Sequence, residues 1–182
     1  LEIRTNYLST SQKNAITNLL SEVKSATTEI VITDPVYIEM NFGASVTNSD
    51  FTLISDAGND SYLYVEVDQN SRRDLNAVQN EVSDVFTTYF TTSNLKLGQL
   101  VSLKEIQQSI LAIDGVNAFS TRREYKGTTI IDENLSFAVY NPIYATVDYD
   151  FTQQDINLDF FKFPYFKDLT TVQNRITVVR QG

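Results

Sequence analysis

Asp148 and Asp150 stand two residues apart in a tyrosine-rich stretch whose composition reads as a strand, so both carboxylates would leave one face of a sheet. Paired carboxylates carry out glycoside hydrolysis when a cleft holds them at the right separation. Nothing selects this pair over the other acids, and a solvated strand face accounts for it more simply. Asp56, Asn59 and Asp60 offer oxygen ligands to a cation. Their spacing lacks the alternating positions around a glycine that an EF-hand loop uses, so a polar loop is the simpler reading. Gly98 precedes a helix without the companion glycines of a dinucleotide loop or the Gly-Lys-Ser/Thr of a phosphate loop, and a turn explains it.

The 182-residue chain contains no histidine and no cysteine. Ser/His/Asp hydrolysis, Cys/His proteolysis and zinc hydrolysis are therefore excluded within it, as are disulfides and thiolate metal sites. No enzyme activity, cofactor or metal is expected. A formal charge of −9, from 14 basic and 23 acidic residues, argues against a surface that neutralises phosphates, so nucleic acid is not an expected partner. Arg72 with Arg73, and Arg122 with Arg123, are short basic pairs diluted by nearby acids and read as solvated faces. No apolar run approaches the roughly 20 residues of a membrane span, and no secretory signal is visible. The sequence starts at Leu1 rather than Met, which suggests a C-terminal fragment of a longer protein.

The most concentrated chemistry is aromatic: Phe160, Phe161, Phe163, Tyr165 and Phe166 lie within seven residues, FFKFPYF. A stacking platform for single-stranded nucleic acid or sugar rings normally pairs with a basic groove, whereas Lys162 and Lys167 here face Asp155, Asp159 and Asp168. Two readings stay open, core filling and an anchor for a protein interface, where such rings are enriched.

The elements that would position these residues follow from hydrophobic period. Within residues 95–119, Ser102 as N-cap and Glu105 three residues on form a capping box, so a helix begins at Leu103. Leu103, Ile106, Ile110, Leu111 and Ile113 make its apolar stripe, with Lys104, Gln107 and Gln108 on the wet side. Gly115 is expected to end it as the left-handed residue of a Schellman motif, with Val116 folding back on Leu111. Upstream, residues 11–25 are expected to pack as a helix through Ala15, Ile16, Leu19, Leu20 and Val23. Residues 29–33 read as a short strand that Asp34 and Pro35 break. Residues 36–46 alternate as a strand with Ile38, Met40 and Phe42 in the core and Tyr37 and Glu39 on an at least partly wet face. A long link, residues 47–60, forms a small extra structure or a contact site, after which residues 61–68 return to pair antiparallel with that strand. Ser71, with Asp74, caps the longest helix, whose apolar period runs from Leu75 through Val78, Val82 and Phe86 to Phe90. Residues 116–125 give a third strand.

The fold class is α+β. A small mixed sheet covered by helices on one face occupies residues 1–127. An aromatic-rich, mostly β or extended region follows over 128–182, where a partner or oligomer interface is expected and residues 175–180 are the best terminal strand.

The order of parts resembles the baseplate J-like family of contractile-tail bacteriophages, which includes the baseplate wedge subunits of T-even-like phages. The residues that carry the resemblance are Asp34-Pro35-Val36-Tyr37-Ile38 opening a long strand, Val85-Phe86-Thr87-Thr88-Tyr89-Phe90 ending a helix, Leu97-Gly98-Gln99-Leu100-Val101-Ser102, and Ile113-Asp114-Gly115-Val116. They cover about half of the chain; the 47–60 link and the aromatic C-terminal region lie outside the match. The resemblance implies a non-enzymatic virion protein, assembled in the host cytoplasm. Its partners would be a second copy, as a dimer, and other wedge proteins in the ring around the tail hub that rearranges on contraction. The alternative is a phage adhesin module that binds or cleaves carbohydrate through Tyr and Phe faces and acids such as Asp148 and Asp150.

Overall fold

The computed structural model describes residues 8–25, 27–42, 45–47, 53–55, 60–91, 93–125, 128–140, 150–167 and 169–182. The chain divides into two compact units, Leu1–Val36 and Tyr37–Gly182.

In the first unit, helix α1 (Thr10–Ser21) starts one residue before the expected position because Ser9 makes a capping box that the sequence reading overlooked. The Ser9 hydroxyl accepts from the Gln12 N–H at 3.2 Å, and the Gln12 side-chain oxygen accepts from the Ser9 N–H at 2.9 Å. Lys13 is ion-paired with Asp34. No residue of α1 is buried, and Leu19, Leu20 and Val23 are exposed, so the packing expected of this helix is not what the structure contains. Residues 29–33 form no strand. Their β-branched composition favours an extended chain, but a strand also needs a ladder partner for its N–H and C=O groups.

The second unit is α+β, built on two four-stranded sheets where the sequence suggested one. Strand β1 (Val36–Asn41) is internal to the order β8-β7-β1-β9 and runs antiparallel to β7 (Phe137–Tyr140), with Met40 opposite Val139. The partners β8 (Asp150–Thr152) and β9 (Lys162–Phe166) form the two edges. Pro164, which cannot donate to a ladder, lies in edge strand β9. The expected pairing of residues 36–46 with residues 61–68 does not occur. Between them β2 (Ser45–Thr47), most of which the sequence reading placed at the end of the first strand, and β3 (Leu53–Ser55), within the expected link, pair with each other as a two-stranded ribbon.

Strand β4 (Asp60–Val67) belongs to the second sheet, of order β10-β4-β5-β6. It runs antiparallel to β5 (Val116–Tyr125), which pairs with β6 (Thr128–Asp132), and parallel to the C-terminal β10 (Ile176–Arg180), with Val65 opposite Val178. The boundary expected at residue 127 is therefore corrected. Strands after it complete both sheets, because β1 and β4 would otherwise present unpaired edges.

Helices α2 (Leu75–Tyr89) and α3 (Leu103–Leu111) bury Val78, Val82 and Phe86, and Leu103, Ile106 and Ile110, as their period predicts. The N-cap of α2 is Asp74, whose carboxylate accepts from the Asn76 N–H, rather than Ser71. Phe86 and Phe90 meet Phe137 and Phe166 of the first sheet, with Phe42 beside them, in edge-to-face and tilted pairs 4.8 to 6.2 Å apart. This ring cluster is the centre of the core. Tyr37 and Glu39, expected on a partly wet face, are both buried, Glu39 to 1% exposure. Tyr37 is covered by Phe163 and Tyr165 of β9, and the Glu39 carboxylate lies 3.9 Å from the Lys167 ammonium. Side chains from and just beyond β9 cover the second face of β1, and alternation alone cannot reveal such a cover.

Candidate protein-contact surface

The five aromatic residues singled out in the sequence separate into three roles. Phe166 is buried in the ring cluster, and Phe163 and Tyr165 are half-buried against Tyr37 on the opposite face of β9. Phe166 fills the core, while Phe163 and Tyr165 pack on Tyr37 and keep part of their surface open. Phe160 and Phe161 are different: they precede β9, are 84% and 38% exposed, and meet edge to face with ring centroids 5.3 Å apart. The Lys162 ammonium between them and the strand bonds to Asp159 at 2.5 Å and lies 5.7 Å from the Phe161 ring, so it does not form the basic groove of a nucleic-acid platform.

A neighbouring segment adds to this exposed pair. Leu97 and Leu100 are 55% and 46% exposed, and Gly98 between them carries φ +66°, in the left-handed region. A Cβ at Gly98 would sit 2.7 Å from the Phe160 Cα, so the two backbones touch where only glycine allows it. The Gly98 N–H donates to the Lys162 carbonyl at 2.9 Å, and Val101 and Ile156 exchange two N–H to carbonyl bonds of 2.9 Å. Residues 97–101 and 156–162 therefore run side by side, with Leu158 buried beneath and four large apolar side chains facing water. The sequence reading missed the two leucines and the role of Gly98; the signal was a glycine flanked by leucines at a spacing that fits neither helix nor strand.

The same two segments fix the start of α3. The Ser102 hydroxyl accepts from the Glu105 N–H at 3.2 Å, the forward half of the capping box. The reverse half is replaced: the Ser102 N–H donates to the Tyr89 hydroxyl at 2.8 Å. Asp155, another residue that sequence reasoning passed over, receives the Ser102 hydroxyl at 3.2 Å and the Lys104 N–H at 3.3 Å. A carboxylate here meets the positive end of the helix. Burial raises the Tyr89 pKa above its usual 10.0, the Ser102 N–H lowers it, and the charges of Glu105 and Asp155 raise it further. At the other end α3 stops at Leu111 with Ala112 as C-cap, and Gly115 lies beyond that position with φ +84°. Gly115 is thus left-handed as expected but serves the turn into β5, where the Val116 N–H returns to the Ile113 carbonyl at 3.1 Å. Leu111 is exposed, so it is not the residue on which Val116 folds back.

Asp56, Asn59 and Asp148 lie outside the described residues, and for Asp60 and Asp150 only the backbone, in β4 and β8, is described. Among the described residues, no group of three or more Asp or Glu is placed to hold a metal ion, and no helix is long and apolar enough to cross a membrane. Of the two arginine pairs singled out in the sequence, Arg73, Arg122 and Arg123 are engaged within the fold. Arg73 pairs with Glu81 and lies 3.6 Å from Asp114, Arg122 stacks 3.6 Å from the Tyr64 ring centre, and Arg123 bonds Asp132 at 2.8 Å. An open groove between α2 and α3, lined by Glu81, Asp84, Tyr89 and Glu105, is acidic and holds no nucleophile set against a base. No family model matches the chain, and no curated protein matches it.

Proposed function

We propose that this chain is a structural protein of a contractile-tail baseplate wedge, acting through protein–protein contacts and without catalysis of its own. The observation that carries the assembly part is the exposed apolar patch of Phe160, Phe161, Leu97 and Leu100. Large aromatics displayed next to one another on a glycine-packed support have the character of interface anchors. The baseplate part rests on the resemblance in the order of Asp34 to Ile38, Val85 to Phe90, Leu97 to Ser102 and Ile113 to Val116. The partners in this reading are a second copy and other wedge proteins, in the tail baseplate of the virion.

Light scattering on the intact chain over a range of concentrations tests the assembly part. Self-association that Phe160→Asp abolishes, with an unchanged circular dichroism spectrum, is the expected result. A strict monomer at the highest concentration, with or without the substitution, would remove the support for a homomeric contact. A glycan array in parallel checks the adhesin alternative, which predicts a saturable signal where the present reading predicts none.

A further inference from the structure

We infer that residues 155–162 form a clasp that closes and opens as one unit, and that its closure both assembles the apolar patch and caps α3. This rests on the patch being the contact surface. The clasp has two adjoining attachments at its start and one at its end: Asp155 on Ser102 and Lys104 with the Ile156 bridge to Val101, and the Lys162 carbonyl on the Gly98 N–H. Between Ile156 and Lys162 only Leu158 is buried, while Asp159, Phe160 and Phe161 are exposed. A run that buries one large apolar side chain and is tied to its neighbour by a few bonds opens as a unit, apart from the sheets on either side.

The patch is a joint product of the two segments, since Leu97 and Leu100 belong to one and Phe160 and Phe161 to the other. It exists in one piece only when the clasp is closed. A partner that binds all four side chains therefore binds the closed state, and linkage requires that it stabilise the first turn of α3 by the same factor. Conversely, loss of the Asp155 attachment must weaken the partner's hold although Asp155 is not one of the patch side chains. Occupancy of the surface is in this way transmitted to α3, and through the Tyr89 hydroxyl on the Ser102 N–H to the last turn of α2. The two helices thereby report whether the surface is filled.

Amide hydrogen exchange on the intact chain, comparing wild type with Asp155→Ala and Asp155→Asn, tests this. In Asp155→Ala the Gly98, Val101, Lys104 and Ile156 amides are expected to exchange faster together, by roughly tenfold or more, while Val65 and Thr121 in the sheet stay as they were. Asp155→Asn, which keeps one acceptor, falls between. Acceleration of the Lys104 amide alone would overturn the clasp, reducing Asp155 to a local cap, and no change at any of the four would also overturn it. Light scattering of the same variants separates the two readings. A clasp that opens with self-association undiminished would count against the patch as the contact surface and leave the clasp standing.

Discussion

Gly98→Ala puts the geometry under the patch to a quantitative test. Gly98 has φ +66°, and an L-residue in the left-handed region costs about 1–2 kcal/mol. The new Cβ would lie 2.7 Å from the Phe160 Cα and 3.2 Å from its N, both backbone atoms that cannot rotate away, and overpacking of this kind adds about 1–3 kcal/mol. The sum, about 2–5 kcal/mol, has a ceiling, because the chain can relieve the clash by releasing residues 155–162. Release forfeits the Gly98 bond to Lys162, the two Val101–Ile156 bonds and the two Asp155 bonds, about 1 kcal/mol each, and uncovers Leu158, so it caps the loss only near the top of that range, about 5 kcal/mol. Gly115→Ala is the matched comparison. Its φ of +84° brings the same left-handed cost, but its closest neighbour is the Ser71 hydroxyl at 2.8 Å, a side chain that can turn aside. Turning it sacrifices one bond from the Arg73 N–H, for a total of about 2 kcal/mol. Urea unfolding of both variants measures the free energies, and amide exchange shows where each loss falls. Gly98→Ala within about 0.5 kcal/mol of wild type, or with its loss spread evenly over the sheets, would refute the reasoning.

Other consequences are more local. Phe42→Ala, at the centre of the ring cluster, should cost about 3–5 kcal/mol in the same unfolding assay, whereas Phe160→Ala should change stability by less than about 0.5 kcal/mol. Asp132→Ala should cost about 2–4 kcal/mol, since the buried carboxylate accepts from Arg123 at 2.8 Å and Ser136 at 2.9 Å, and its loss strands a half-buried guanidinium; equilibrium denaturation checks it. Tyr89 supplies a pH dependence: a raised pKa means that the folded chain holds the phenolic proton more tightly than the unfolded chain. That stabilisation is complete below about pH 10 and is lost as pH rises through the folded value, so Tyr89→Phe should flatten the alkaline decline of stability above about pH 10. An identical slope for wild type and variant in melting temperature against pH would contradict the assignment.

The elements with a single buried face were legible in the sequence. Residues 116–125 form the expected strand without adjustment, β4 buries Leu63, Val65 and Val67 as its alternation requires, and Ser102 caps α3 where the capping motif places it. What periodicity could not supply was partnership. Glu39 looked solvated because alternation identifies one buried face and is silent about a second that β9 covers from far along the chain. The parallel pairing of β10 with β4 joins residues more than a hundred positions apart, and no local pattern encodes such a contact. In the candidate site, the aromatic run was conspicuous but its division was not. Phe166 and Phe160 have similar chemistry, and only the strand that starts at Lys162 turns one inward and leaves the other exposed. Gly98 and Asp155 act on backbone atoms, and their importance becomes visible only once the two segments lie side by side.

The most direct test of assembly through this patch is a photo-crosslinker in place of Phe160. p-Benzoylphenylalanine at that position, in the intact protein irradiated alone and with contractile-tail baseplate proteins, should on the proposed reading join the patch to a second copy or to a defined segment of one of those proteins. The Phe160 backbone packs against Gly98, and its exposed ring is free to reach outward. A discrete intermolecular product, absent when the label is placed at buried Phe166, is the predicted result. Crosslinks confined within one chain under both conditions would contradict the account.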